Sequence, residues 1–218
     1  MLHSRAFTLV ELVFVIVAVG ILAAVIVPRM QSSRLREAAD QVVSHIRYTQ
    51  HLAMMDDKFG LGNEWYKGRW QIVFDKAART DNKFSYSIFS DKRGPIDYTG
   101  NADVSEIAKN PQDTSKLLSG GSSSLDFNDR RATKKMNLGN EYGISNVVFS
   151  NTCSISGSRR IIFDYLGRPM RGNAASYTSA YPANRLIAEQ CNITLSDGTD
   201  SIIISIEPET GFAYIQQN

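Results

Sequence analysis

From Phe7 to Val27 the chain reads FTLVELVFVIVAVGILAAVIV, an apolar run interrupted only by Thr8 and Glu11. As a helix of about twenty residues rising 1.5 Å each, it is about 30 Å long, enough to cross a bilayer core. An unbroken apolar face of this kind rules out a cytosolic coiled coil, which needs a polar side. Glu11 adds a second constraint. A carboxylate inside a span costs about 2.5–3.5 kcal/mol even on the lenient insertion scale, so something must compensate for it. A conventional secretory signal, with an apolar core of about 7–15 residues and no acid at its head, does not fit.

Residues 1–6 precede this run with one firm positive charge, Arg5. Positive charge stays cytoplasmic, so the bulk of the chain is expected outside. After Pro28 the character changes. Leu35, Ala39, Val42, Val43, Ile46, Thr49 and Ala53 recur at helical spacing, with Arg34, Arg36, Glu37, Asp40, Arg47 and Gln50 mostly between them. That spacing predicts an amphipathic continuation of the first helix, over 29–57, with Pro28 able to kink the junction without ending it.

From residue 69 the pattern becomes β. Short segments rich in Ile, Val, Phe and Tyr, bounded by Gly, Asn, Asp or Ser, predict strands at 69–75, 84–90, 124–127, 146–150, 159–165, 192–196, 200–207 and 212–216. Glu209–Gly211 reads as the turn of a terminal hairpin, the glycine supplying a positive φ. The polar stretch from Arg93 to Gly121 reads as a long surface excursion with room for mobility. The expected class is therefore α+β: a long N-terminal helix whose second half packs on an antiparallel β-sheet, with a β-rich domain over 58–218.

The stretch AFTLVELVFVIVAVGILAAVIVP resembles the N-terminus of type IV prepilins and type II secretion pseudopilins. The resemblance implies a leader of residues 1–6, cleavage by a prepilin peptidase between Ala6 and Phe7, and N-methylation of Phe7. It places Glu11 at the fifth mature position, where the family keeps a glutamate for subunit assembly, and makes 7–28 the transmembrane and filament-core helix. Ala6 departs from the glycine usual before the cut, and is its smallest substitute. The physics agrees: a neighbour's Glu11 can neutralise the new ammonium at Phe7, which sets the register of one subunit on the next.

Further on, RRIIFDYLGRPMRG and the closing strand pair resemble the GspH/FimT type of minor pilin, on Phe163, Asp164, Gly167, Arg168 and Pro169. Those residues read first as a strand-and-turn signature. The implied protein is a non-enzymatic structural subunit of a type IV pilus or type II secretion filament. It would be held single-pass in the inner membrane of a diderm bacterium with its C-terminal domain periplasmic, before joining the filament. Its implied partners are other pilin or pseudopilin subunits, the peptidase and inner-membrane lipid.

The other features are weaker. With an exported domain, Cys153 and Cys191 have one available pairing; in a cytosolic domain they read as two buried thiols. The alternative function is a pilus-associated DNA-binding subunit for natural transformation, using Arg159, Arg160, Arg168 and Arg171. Against it, the net charge is only +2 and no arginine follows the last glycine. Of the histidines, His3 lies in the leader, and His45 and His51, six apart, do not share a helical face. No metal, cofactor or phosphate-loop pattern is expected.

Overall fold

The computed structural model describes residues 9–60, 62–94 and 97–216, the side chains of 23–32 excepted. The fold is α+β, with an N-terminal helix and antiparallel sheets. Helix α1 is Leu9–Met55, with Glu11 in its first turn. The chain divides into two units, Met1–Arg34 and Leu35–Asn218. Among the described residues, no helix is long and apolar enough to cross a membrane. The leader, Ala6 and Phe7 lie outside the described residues.

In the second unit, β1 (Trp70–Asp75) pairs with β2 (Ser85–Ser90) and with β4 (Arg160–Phe163), which pairs with β5 (Pro169–Arg171). A short helix α2 (Leu138–Tyr142) precedes β3 (Asn146–Phe149). Strand β3 pairs with β6 (Cys191–Ser196), β6 with β7 (Ser201–Ile206), and β7 with β8 (Ala213–Ile215). The expected single sheet is therefore two four-stranded sheets, ordered β2-β1-β4-β5 and β3-β6-β7-β8. Both edges of β4 are taken by β1 and β5, so the later strands must build on β3 instead.

Alternation decides which side of each sheet meets the core. In the first sheet Ile72 lies opposite Ile88 and Phe74 opposite Tyr86, all on one face. In the second, Ile193 lies opposite Ile204 and Cys191 opposite Ile206. The stripe on α1 covers both: Leu35, Ala39, Val42, Val43, Ile46 and Ala53 share one core with Ile72, Tyr86, Ile161, Ile193 and Ile204. Thr49 is also buried, its hydroxyl donating to the His45 carbonyl at 2.7 Å. The helical periodicity thus reads through directly into packing.

Two segments differ from expectation. Residues 124–127 form no strand. The backbone of Ser122 instead bonds that of Leu125 at 2.8 Å, and Asp126 Oδ1 accepts the Asn128 N–H at 2.8 Å. Short polar side chains here offer the backbone local partners that compete with a ladder. Strand β5 lies outside the eight expected strand segments. It lies at a sheet edge and Pro169 is its first residue, where the missing N–H costs nothing.

The stretch 93–121 is also more than a surface excursion. Ala108 N donates to Ile88 O at 2.9 Å and Ile88 N to Leu118 O at 2.9 Å, so it closes the free edge of β2. Ala102, Ile107, Leu125 and Ala132 pack with Phe89 on the sheet's outer face. A second cover, 172–190, lays Ala174 and Tyr177 on Ile162 and Met170. Serine, glycine and lysine in these segments disguise how many apolar side chains they bury.

Candidate functional site

The apolar half of α1 carries the first group of sequence-predicted residues. Leu9, Leu12, Phe14, Ile16, Ile21 and Leu22 are all exposed, Leu9 at 78% and Phe14 at 76%. Glu11 is exposed among them. Scattered apolar residues at a surface are ordinary, but an uninterrupted apolar helix segment is not, and it marks a surface made for an apolar surrounding.

Cys153 and Cys191 form a disulfide with Cα atoms 5.2 Å apart, and both are fully buried. Cys191 opens β6 and Cys153 lies in the turn after β3, so the bond staples that turn to the partner strand of β3. Thr152 Oγ1 donates to Gln190 O at 2.8 Å beside it, fastening the same corner a second way.

The FDYLGRP segment is a turn held from inside. Asp164 is fully buried; its Oδ1 accepts the N–H groups of Leu166 at 3.0 Å and Arg168 at 2.8 Å. Its Oδ2 accepts from Arg168 Nε at 2.8 Å, from Arg168 Nη2 at 2.8 Å and from the Tyr181 hydroxyl at 3.2 Å. Gly167 takes φ +79°, as the turn requires. A buried carboxylate is tolerated when its lone pairs are filled this completely. The motif works as architecture.

The four arginines of the DNA alternative are each engaged locally. Arg159 Nε donates to Val147 O at 3.1 Å, on the edge of β3. Arg160 Nη1 reaches Gln71 Oε1, Gly100 O and Asn173 Oδ1 within 3.1 Å. Arg168 pairs with Asp164 as above. Arg171 donates to the carbonyls of Asn184, Asn151 and Thr152. Guanidinium donors committed to backbone acceptors offer fewer to a phosphate.

Sequence reasoning missed a polar chain between α1 and the first sheet. The Tyr142 hydroxyl donates to Gln41 Oε1 at 3.0 Å, and Gln41 Nε2 donates to the Tyr86 hydroxyl at 2.8 Å and to Lys135 O at 2.8 Å. The Tyr86 oxygen lies 2.6 Å from His45 Nδ1. Because the Gln41 amide donates to Tyr86, the Tyr86 proton is free to go to His45, which makes Nδ1 an acceptor and leaves the proton on Nε2. Burial pushes the His45 pKa down to about 4, which keeps the ring neutral. The sequence shows only that Gln41 and His45, one turn apart, border an otherwise apolar stripe; their partners Tyr86 and Tyr142 lie far along the chain.

Among the described residues, no group of three or more His, Cys, Asp or Glu could hold a metal ion. His45 is engaged with Tyr86 and His51 is exposed. Set beside known proteins, the chain matches no family model, no curated protein and no solved structure.

Proposed function

We propose that this chain is a structural minor pilin or pseudopilin subunit of a type IV pilus or type II secretion filament. It is made with the leader 1–6, cut before Phe7, methylated there, and assembled through the apolar first half of its N-terminal helix. That half spans the inner membrane before assembly. The observation that carries the reading is the change of burial along α1. Residues 9–22 present an apolar surface outward, whereas the stripe Leu35–Ala53 is buried beneath two sheets.

A subunit of this kind exchanges lipid for a bundle of like helices, and the apolar surface gains little from the exchange. Register must then come from polar contacts, which is the role given to Glu11. The disulfide supports export to an oxidising compartment, where such bonds persist. The folded domain is the periplasmic part, displayed at the filament rather than working on a substrate.

The test is co-expression with a prepilin peptidase, followed by mass spectrometry of the product. Loss of Met1–Ala6 and a methylated Phe7 are expected. An intact leader, or a cut near Ala24, would remove the pilin reading.

A further inference from the structure

Strand edges decide where a further chain can add to a sheet, and both edges of the first sheet are covered. Segment 93–121 bonds Ile88 of β2 from both sides of that residue. At β5, Arg171 N donates to Arg185 O at 2.8 Å and Ile187 N to Pro169 O at 3.0 Å. Strand β8 ends the second sheet differently. Glu207 N donates to Phe212 O and Gln216 N to Ile203 O, both at 2.9 Å, so by antiparallel alternation Tyr214 also bonds toward β7. The N–H and C=O groups of Ala213 and Ile215 point the other way, along the outer edge.

One of those outward groups is already held. Arg47 Nε and Nη2 donate to the Ala213 carbonyl at 3.0 and 2.7 Å. The N–H groups of Ala213 and Ile215 and the Ile215 carbonyl remain outside the ladder. They border a groove of about 290 Å³ between α1 and β8, lined by Arg36, Asp40, Val43, Arg47 and Ile215. Its walls set two guanidinium groups against one carboxylate, and Arg36 lies 3.3 Å from that carboxylate. Arg47 instead meets a neutral carbonyl and, at 5.0 Å, the ring of the exposed Phe212. The edge therefore offers strand-pairing groups, an apolar wall and a net positive charge in one place.

We propose that the outer edge of β8 takes an extended, acidic segment of another polypeptide as an added strand, with Arg47 selecting for the acid. The segment's backbone pairs with Ala213 and Ile215, as strand addition to an open edge requires. Its carboxylate draws the Arg47 guanidinium off the Ala213 carbonyl, because a charged acceptor holds an arginine more strongly than a neutral one. That exchange frees the carbonyl for the ladder. A strand without an acid leaves Arg47 in place across the edge, and a basic one also meets Arg36 and Arg47 with like charge. The site lies wholly within the folded domain and does not depend on the filament reading.

The probe is a fluorescein-labelled octapeptide of alternating valine and glutamate, titrated against the full chain in detergent micelles. Saturable binding is expected by anisotropy, and the excess peptide should slow amide exchange at Ala213 and Ile215 about tenfold. Binding should weaken about tenfold when lysine replaces glutamate, and again when the ladder nitrogens of the peptide are methylated. Neither change touches the fold of the chain. Arg47→Gln should bring the preference for glutamate over lysine toward unity, whereas Arg47→Lys should keep it. No saturable binding, equal binding of the methylated peptide, unchanged exchange at both amides, or an undiminished preference in Arg47→Gln would overturn the proposal. Protection of those amides that grows with protein concentration, without peptide, would give the edge to a second copy and overturn it too.

Discussion

The Gln50 side-chain amide donates to the Gly167 carbonyl at 2.8 Å, so the last turns of α1 are tied to the turn between β4 and β5. The same Nε2 donates to the Thr210 carbonyl at 2.6 Å, in the turn between β7 and β8. One helix side chain therefore pins a turn from each sheet. Gly211 closes the arrangement at φ +65°: a Cβ there would meet Gln50 Nε2 and the Gly167 carbonyl at 2.6 Å each. Arg47, one turn earlier, donates to Ala213 O at 2.7 Å and fastens the exposed edge of β8.

Gly211→Ala should destabilise the domain by about 2 kcal/mol or more, since the left-handed backbone costs about 1–2 kcal/mol and the close approach adds to it. Gln50→Ala should cost about 1–3 kcal/mol, because two carbonyls lose a shared donor. Denaturant unfolding measures both. Wild-type stability in Gly211→Ala would mean that the two turns do not close on Gln50 as described.

The disulfide gives a second test. Protein taken from the periplasm should resist thiol alkylation at Cys153 and Cys191 until reduced. Replacing both by serine should lower stability by about 2–4 kcal/mol, the usual range for a closed loop of this size. Labelling of both thiols before reduction would refute the pairing in the cell.

His45 sets an acid limit on stability. Its pKa in the folded domain is depressed to about 4 from 6.5, so the unfolded chain takes up its proton first. The stability tied to its neutral form is complete above pH 6.5 and is lost as pH falls through 4. The loss should reach about 3 kcal/mol at the acid end. His45→Gln keeps an acceptor for Tyr86 and removes the titration, so its stability should fall less between pH 6.5 and pH 4. Parallel curves for the two proteins would show that His45 is not the sensor.

Much of this architecture is legible in residue order alone. The spacing Leu35–Ala39–Val42–Ile46–Thr49–Ala53 names the buried stripe because burial on a helix follows a period of 3.6. Seven of the eight expected strand segments are present within a residue or two, since alternation over β-branched and aromatic residues is a local signal. The split into two sheets is not local; it depends on which strand takes the edges of β4. Gln50, Gln41 and His45 were equally hidden, because a polar residue beside an apolar stripe looks the same whether it faces water or a buried partner. Their roles are set by partners 41 to 160 positions away along the chain, such as Tyr86 for His45 and Thr210 for Gln50.

The prediction that bears most directly on assembly concerns Glu11, and it separates insertion from incorporation. Glu11→Ala removes a charge from an apolar helix, so membrane insertion should be unchanged or slightly better. On the proposed pilin reading, cleavage should persist, because the expected junction at Ala6 and Phe7 lies outside the change. Entry into filaments should fall sharply, because the ammonium of a neighbour's Phe7 would lose its counter-charge in a low-dielectric bundle. Glu11→Gln keeps the size and loses the charge, so it should fail in the same direction. Glu11→Asp keeps the charge on a shorter arm and should retain part of the function, which separates a charge requirement from a shape requirement. The readout is the fraction of processed protein in sheared filaments against that left in membranes. Full incorporation of the alanine and glutamine variants would show that register comes from elsewhere on the helix.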